Sequence, residues 1–367
     1  MKETHTDAAP AERLAHIDAL KTLAMCMVLV YHCTLYSIAL GLDSEPIVFV
    51  RMYFRGWLSA CVPLFFAVNG YLLMGSQLNL KKHTIRLLRM ICILVFWRLF
   101  LLLVLQPLRG EYFTWEETRQ RFWSLQIDWN NHLWYLESLI GVYIFYPLIK
   151  QCYDGNRKVF LYFAALCGIL VFGNPLINQF LTVFNRVVRN ETIVHIAFPF
   201  FGAIHPFAGN VGMGLAYFCL GGILRDVQER IGAVPRRNRN ILAGLGFLVS
   251  GGLLLFLAYG YSILSKKTWD IVWYGYTTVF TLFNVVCLFV LSLNVRRTGP
   301  LVRAISGNTL GIYLMHIIAQ EIVGRWFAGV PAFQTFWASC LYAAVVLVLC
   351  LAVCLPLKKI PVLKKLI

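Results

Sequence analysis

Residues 334–356 read QTFWASCLYAAVVLVLCLAVCLP, a run without one charged side chain, and Lys358 and Lys359 follow it after Leu357. About 20 predominantly apolar residues are what an α-helix needs to cross the hydrocarbon of a bilayer. Lysines at the end of such a run belong at the water interface. Working outward from this segment, runs of the same kind recur at 19–40, 57–76, 87–107, 132–150, 158–177, 207–224, 240–261, 271–293 and 306–325. They are long and do not alternate with period two, so they read as helices rather than as the strands of a barrel. The expected fold class is therefore all-α, a polytopic membrane helix bundle of about ten transmembrane helices. It is read as one domain over 1–367, with a polar N-terminal segment at 1–18 and a basic tail at 357–367. Gly173, Asn174 and Pro175 are expected to break the fifth run, and the glycines from Gly209 to Gly214 to loosen the sixth.

The whole chain agrees with its last run. Of 367 residues, 59% are hydrophobic and only 14% charged, and the mean hydropathy is +0.69. Soluble domains carry about 25% charged residues, so this composition excludes a soluble enzyme. The net charge of +16 is not spread as a nucleic-acid-binding surface would be. It sits in short loops: Lys81, Lys82, Arg86 and Arg89; Lys150, Arg157 and Lys158; Arg225, Arg230, Arg236, Arg237 and Arg239; Arg296, Arg297 and Arg303; and Lys358, Lys359, Lys364 and Lys365. With ten spans all of these fall on one side, which the positive-inside rule makes cytoplasmic, with both termini. The opposite loops hold Asp43, Glu45, Glu111, Glu116, Glu117, Asp128, Glu191 and Asp270. No basic stripe interleaved with aromatics lies outside the flanking loops, so no nucleic-acid partner is expected. Met1 to Glu12 is polar and no small-residue cleavage site closes the first run, so that run reads as a retained helix rather than a signal peptide. The 11 cysteines are scattered, without a CxxC pair, and read as small buried hydrophobes. Two loops on the acidic side, 108–131 and 178–206, are rich in aromatics and suit interfacial helices or a substrate entrance.

Ionisable residues at membrane depth are costly and mark functional sites. In LKTLAMCMVLVYHCTLY, His32 follows Lys21 by eleven residues, which at 1.5 Å per residue places it about 16 Å deeper. Lys21 can snorkel to the interface; His32 cannot, and so faces protein or a cavity. His316, in SGNTLGIYLMHIIAQEIVG, lies about ten residues from the start of its own run, at a depth comparable to His32. Glu321 follows it. Glu137, near the outer end of the fourth run, is a candidate carboxylate partner for an imidazole, with an interfacial carboxylate in water as the plain alternative. Arg86 and Arg89 form an RxxR on one helix face, suited to clamping a phosphorylated ligand, although each arginine alone also reads as a topology anchor. Asp18 is placed to pair with one of these cations. No DxD, HExxH, P-loop or GxSxG motif occurs, so no metal cofactor is expected. Close glycine pairs such as Gly221 and Gly222, or Gly244 and Gly246, read as helix packing.

Taken together, several of these segments resemble the acyltransferase-3 family of integral membrane acyltransferases. RLAHIDALKTLAMCMVLVYH is similar to the family's Arg/Lys-x10-His signature, here Lys21 and His32, preceded by Ile17 and Asp18. VPLFFAVNGYLL at 62–73 resembles a segment usually ending Ser-Gly-Tyr, with Asn69 in place of the serine. RLLR at 86–89 matches the family's RxxR. HLWYLESLIGVYIFYPLI at 132–149 and ISGNTLGIYLMHIIA at 305–319 match its His-Leu-Trp and Tyr-Leu-x-His segments. The resemblance extends over nearly the whole chain, and is greatest to short members without an extracytoplasmic domain, of the enterobacterial common antigen O-acetyltransferase type.

What the resemblance implies is transfer of an acyl group, most often acetyl, from cytoplasmic acyl-CoA to a hydroxyl of a cell-envelope glycan or lipid-linked sugar, at a bacterial inner membrane. Acetyl-CoA would be the donor, held by Lys21, Arg86 and Arg89. His32 would act as general base or carry the acyl group transiently, with His316 and Glu137 assisting. Asn69, His132 and Trp134 would contact substrate, and Trp115, Trp123 and Trp129 would offer stacking surfaces to sugars as well as an aromatic belt. The alternative from another class is a transporter or flippase of an envelope precursor, which has no need of acyl-CoA.

Overall fold

The structure, a computed structural model, describes residues 14–33, 46–123, 131–189, 209–265, 273–327, 336–361 and 363–367. Among these there is no strand. The helices are α1 (Ala15–His32), α2 (Pro46–Leu58), α3 (Cys61–Met74), α4 (Leu80–Arg109), α5 (Trp115–Trp123), α6 (Trp134–Gly155), α7 (Arg157–Arg189), α8 (Gly209–Ala233), α9 (Arg236–Ser265), α10 (Val279–Ser292), α11 (Pro300–Gly307), α12 (Thr309–Phe327) and α13 (Phe336–Leu357). A 3-10 turn at Asn131–Leu133 leads into α6.

Helix boundaries follow local chemistry. The Asn79 side chain accepts from Lys82 N at 2.9 Å and caps α4. Gly110, at φ 68°, ends that helix in the left-handed conformation that favours glycine. Pro300 starts α11 directly after Gly299. Between α11 and α12 the chain bends by 81°, and the Asn308 side chain there donates to Ala304 O at 2.6 Å.

Each of the ten apolar runs falls on a helix, but five segments are long and apolar enough to cross a membrane among the described residues, or six if α11 and α12 count as one bent span. The expected ten is thus not carried by length and apolarity. The reason lies in the helices themselves. α1 is 18 residues long and contains Asp18 and Lys21, α10 is 14 residues long, and α6 carries Glu137, Lys150 and Asp154. These helices fall short through length or through charged residues, while α4, α7, α9 and α13 carry long runs of strong hydropathy. The expected break at Pro175 does not occur, because α7 runs unbroken from Arg157 to Arg189 with the proline inside it, as membrane helices tolerate. Gly209 is at φ 73° and opens α8, which continues through Gly214.

Burial sorts the bundle into inside and outside. The window through Met52–Met74 is 72% buried, against 28% for those on α4, α7 and α9. α3 is therefore the axis of the fold, apolar all round as a core helix must be. It packs on α8 so closely that a methyl at Gly70 would overlap the Phe218 carbonyl, and one at Gly221 the Ala67 carbonyl. The glycine expected to pack helices at Gly221 does so. At Gly244 nothing lies within reach. Leu103, Phe256 and Val348 are exposed on the outer faces of α4, α9 and α13, where lipid rather than water accounts for them. The first acidic-side loop holds the short helix α5, with Trp115 and Trp123 exposed. Most of the second loop, with Trp129, Asp43, Glu45, Asp128, Glu191 and Asp270, lies outside the described residues.

Candidate active site

α1 carries Lys21 less than two turns from its start and ends on His32. α12 brings His316 to the same level: the two imidazole centroids, expected at similar depth, lie 5.1 Å apart. A third ring joins them from the 3-10 turn, since His132 lies 5.3 Å from His316 at 85°. His316 is fully buried and His132 nearly so.

The backbone around these rings fixes the tautomer of one of them. His316 Nδ1 faces the Tyr313 carbonyl at 2.5 Å. A carbonyl only accepts, so Nδ1 carries the hydrogen and Nε2 the lone pair. The Nε2 atoms of His316 and His132 are buried and have no hydrogen-bond partner among the described residues. Tyr313 also donates its hydroxyl to the His132 carbonyl. One turn after His316, Gln320 Nε2 donates to the His32 carbonyl at 2.8 Å, satisfying one of the carbonyls left open where α1 ends. Tyr342 of α13 in turn donates to the Gln320 carbonyl at 2.6 Å.

Two cavities meet here. One, of about 340 Å³, is lined by Lys21, Arg86, Arg89, Asn69 and Tyr143 among others. The second, of about 230 Å³, is lined by Tyr31, His32, His132, Trp134 and Tyr276 among others. They stack end to end along the same helices. On α1 the basic cavity touches residues 21–25 and the histidine cavity 28–32; on α3 they touch 65–72 and 62–65; on α6 the basic cavity reaches 135–143 while the histidine cavity ends at 135.

The sequence-derived site residues divide accordingly. Lys21, Arg86, Arg89 and Asn69 wall the basic cavity, and His32, His132 and Trp134 the histidine cavity. Tyr143 donates to Asn69 Oδ1 at 3.0 Å and Asn69 Nδ2 to Phe65 O at 2.8 Å, so the amide is held between α3 and α6. Trp134 packs on Tyr276 at 5.5 Å. His316 lines neither cavity and backs both imidazoles. Arg86 and Arg89 share a cavity but differ in their contacts. Arg89 Nε and Nη2 donate to the Lys365 and Lys364 carbonyls at 2.9 and 3.0 Å, clasping the C-terminal turn, while Trp97 Nε1 donates to Leu366 O at 2.8 Å.

Glu137 needs correction. Its carboxylate does not partner an imidazole. Oε1 accepts from Arg98 Nη2 at 2.6 Å, and Arg98 also donates to Phe122 O at 3.0 Å. An arginine in the middle of α4 requires a counter-ion more than a histidine requires a base. Glu321 is likewise taken, by Arg109 Nε at 2.6 Å. Asp18 is buried and accepts from Ser306 of α11. Sequence reasoning also missed Phe65, Tyr135, Tyr313 and Gln320, because aromatics and a glutamine inside apolar runs carry the same signal as packing residues. Among the described residues no three His, Cys, Asp or Glu side chains are placed to share a metal ion.

A family model described as an acyltransferase domain, acyltransferase-3, matches residues 14–357. Neither a curated protein nor a solved structure matches the chain. The family match runs from the residue before α1 to the last residue of α13, and so takes in both cavities and every helix that lines them: the chain belongs to the acyltransferase-3 family.

Proposed function

We propose that this multi-pass membrane acyltransferase takes an acetyl group from cytoplasmic acetyl-CoA and transfers it to a hydroxyl of an envelope glycan or lipid-linked sugar, in the manner of short family members such as the enterobacterial common antigen type. One observation carries the reading: a basic cavity and a histidine cavity stacked along α1, α3 and α6. A CoA thioester has phosphates at one end and a reactive carbonyl at the other, and the two cavities offer cations to the first and imidazoles to the second. Lys21 and Arg86 hold phosphate oxygens through charge-assisted hydrogen bonds, and the pantetheine arm extends toward His32.

His32 lines the histidine cavity and meets the acceptor. Its imidazole takes the proton of the hydroxyl as the oxygen attacks the thioester carbonyl. The C–O bond forms, the C–S bond breaks, and the CoA sulfur leaves with the proton returned from the imidazolium. His316 does not reach the cavity. It orients His32 and takes up charge developing on it through the lone pair on Nε2. His132 and Trp134 contact the acceptor. The basic end is cytoplasmic by the positive-inside rule, with the bacterial inner membrane as the location and both chain termini on that side.

Stacked cavities also suit a transport path for an envelope precursor, the competing reading. Incubating the purified protein with acetyl-CoA, with water taking the place of the acceptor hydroxyl, and following thiol release separates them. Release dependent on His32 supports the acyltransferase. A folded protein that releases no thiol but moves a lipid-linked sugar between leaflets of a vesicle supports the transporter.

A further inference from the structure

The two cavities have three wall residues in common, Phe65, Tyr135 and Tyr313. All three are buried. Their rings are in series: Phe65 to Tyr135 at 5.9 Å and Tyr135 to Tyr313 at 5.4 Å. Beyond them Tyr313 meets His132 at 5.7 Å and His316 at 5.9 Å. These rings come from α3, α6 and α12 and stand where the cation-lined space ends and the imidazole-lined space begins.

The three are not held alike. Tyr313 is tied through its hydroxyl to the His132 carbonyl and through its carbonyl to His316 Nδ1. Its ring cannot shift without giving up the bond to the His132 carbonyl. Phe65 has no polar side-chain atom, so only packing holds its ring. It is the side of the boundary that can yield.

We propose that Phe65, Tyr135 and Tyr313 form an aromatic partition between a donor cavity and an acceptor cavity, and that the gap beside Phe65 sets the largest acyl group transferred, restricting the enzyme to short-chain acyl thioesters. The proposal rests on the acyltransferase reading above and adds the basis of its donor selectivity. The thioester carbonyl must pass this ring boundary to reach His32, and the acyl chain then shares the histidine cavity with the acceptor hydroxyl. That cavity, at about 230 Å³, is smaller than the roughly 300 Å³ at which ordinary ligand pockets begin. In such a space an extra methylene typically changes specificity by about 10- to 200-fold.

The test compares relative kcat/KM for acetyl-, butyryl- and hexanoyl-CoA, read as thiol release, in the purified full chain. Wild type, Phe65→Leu and Phe65→Ala are measured beside Leu139→Ala, at a position that lines the basic cavity but not the histidine cavity. Phe65→Leu is the milder variant should alanine impair folding. Wild type is expected to favour acetyl-CoA, and the Phe65 variants to raise the hexanoyl-to-acetyl ratio by about tenfold or more, with Leu139→Ala leaving the ratio alone. Active Phe65 variants with the wild-type ratio, an equal shift in Leu139→Ala, or a wild type that uses hexanoyl-CoA as well as acetyl-CoA each overturn the partition while leaving the acyltransferase in place. A folded wild type that releases thiol from none of the thioesters overturns the donor reading and the partition with it.

Discussion

His316 carries a hydrogen on Nδ1 because the Tyr313 carbonyl lies 2.5 Å away, and this one bond separates its role from that of His32. His32 lines the histidine cavity, whereas His316 is fully buried behind it. His32→Ala is therefore expected to lower kcat by about 10²- to 10⁴-fold, the range of general-base catalysis, with KM for acetyl-CoA unchanged. His316→Ala is expected to lower kcat less, again at constant KM. Wild-type kcat in His32→Ala would refute its role as base. Glu137→Gln bears on the opposite claim. Since its carboxylate neutralises Arg98, the substitution is expected to reduce folded yield rather than kcat per folded molecule, and combining it with Arg98→Leu to restore part of that yield, because breaking such a pair costs more than replacing both partners. A selective fall in kcat would return Glu137 to the chemistry. At this scale the sequence is informative at ionisable residues within or beside the apolar runs: Lys21, His32, Arg86 and His316 all line or back the two cavities. It was misleading at Glu137, because spacing along one helix says nothing about an arginine arriving from another.

Helix α3 contacts its neighbours on every face, and its approach to α8 depends on Gly70 and Gly221, where a side chain would meet backbone carbonyls. Backbone cannot give way as a flexible side chain can, and overpacking typically costs about 1–3 kcal/mol. Gly70→Ala and Gly221→Ala are each expected to lower thermal stability in detergent, while Gly244→Ala, which meets nothing, is expected to leave it unchanged. Equal behaviour of the three would show that the α3–α8 contact is looser than described. The outer helices α4, α7, α9 and α13 are legible because each holds a long run of strong hydropathy. The inner ones were harder to delimit. α1 and α6 spend residues on Lys21, His32, Glu137 and Lys150, which depress the very hydropathy by which a span is recognised. Pro175 was misread as a break because a proline's missing donor ends helices in water more readily than it does inside a packed membrane bundle.

Across the whole molecule the two cavities give the fold a direction, with cations at one end and imidazoles toward the other. If the basic loops are cytoplasmic, reporter fusions at both termini are expected to read out on that side; termini on opposite sides would require an odd number of crossings and contradict the ten-span topology. The helical bundle is readable from run lengths, but the division into two cavities is not, since it arises from Phe65, Tyr135 and Tyr313 converging from three helices far apart in sequence. Arg89 shows the same limit: adjacent to Arg86 on one helix face, it is drawn to the C-terminal carbonyls. The most direct test of the central claim is therefore equilibrium binding of acetyl-CoA to the purified full chain, wild type beside Lys21→Ala with Arg86→Ala. Hydrogen bonds to charged groups contribute about 1.5–3 kcal/mol each, so the account predicts saturable binding to wild type that weakens by at least tenfold in the double variant. Unchanged affinity in the double variant, or no saturable binding to folded wild type, would contradict it.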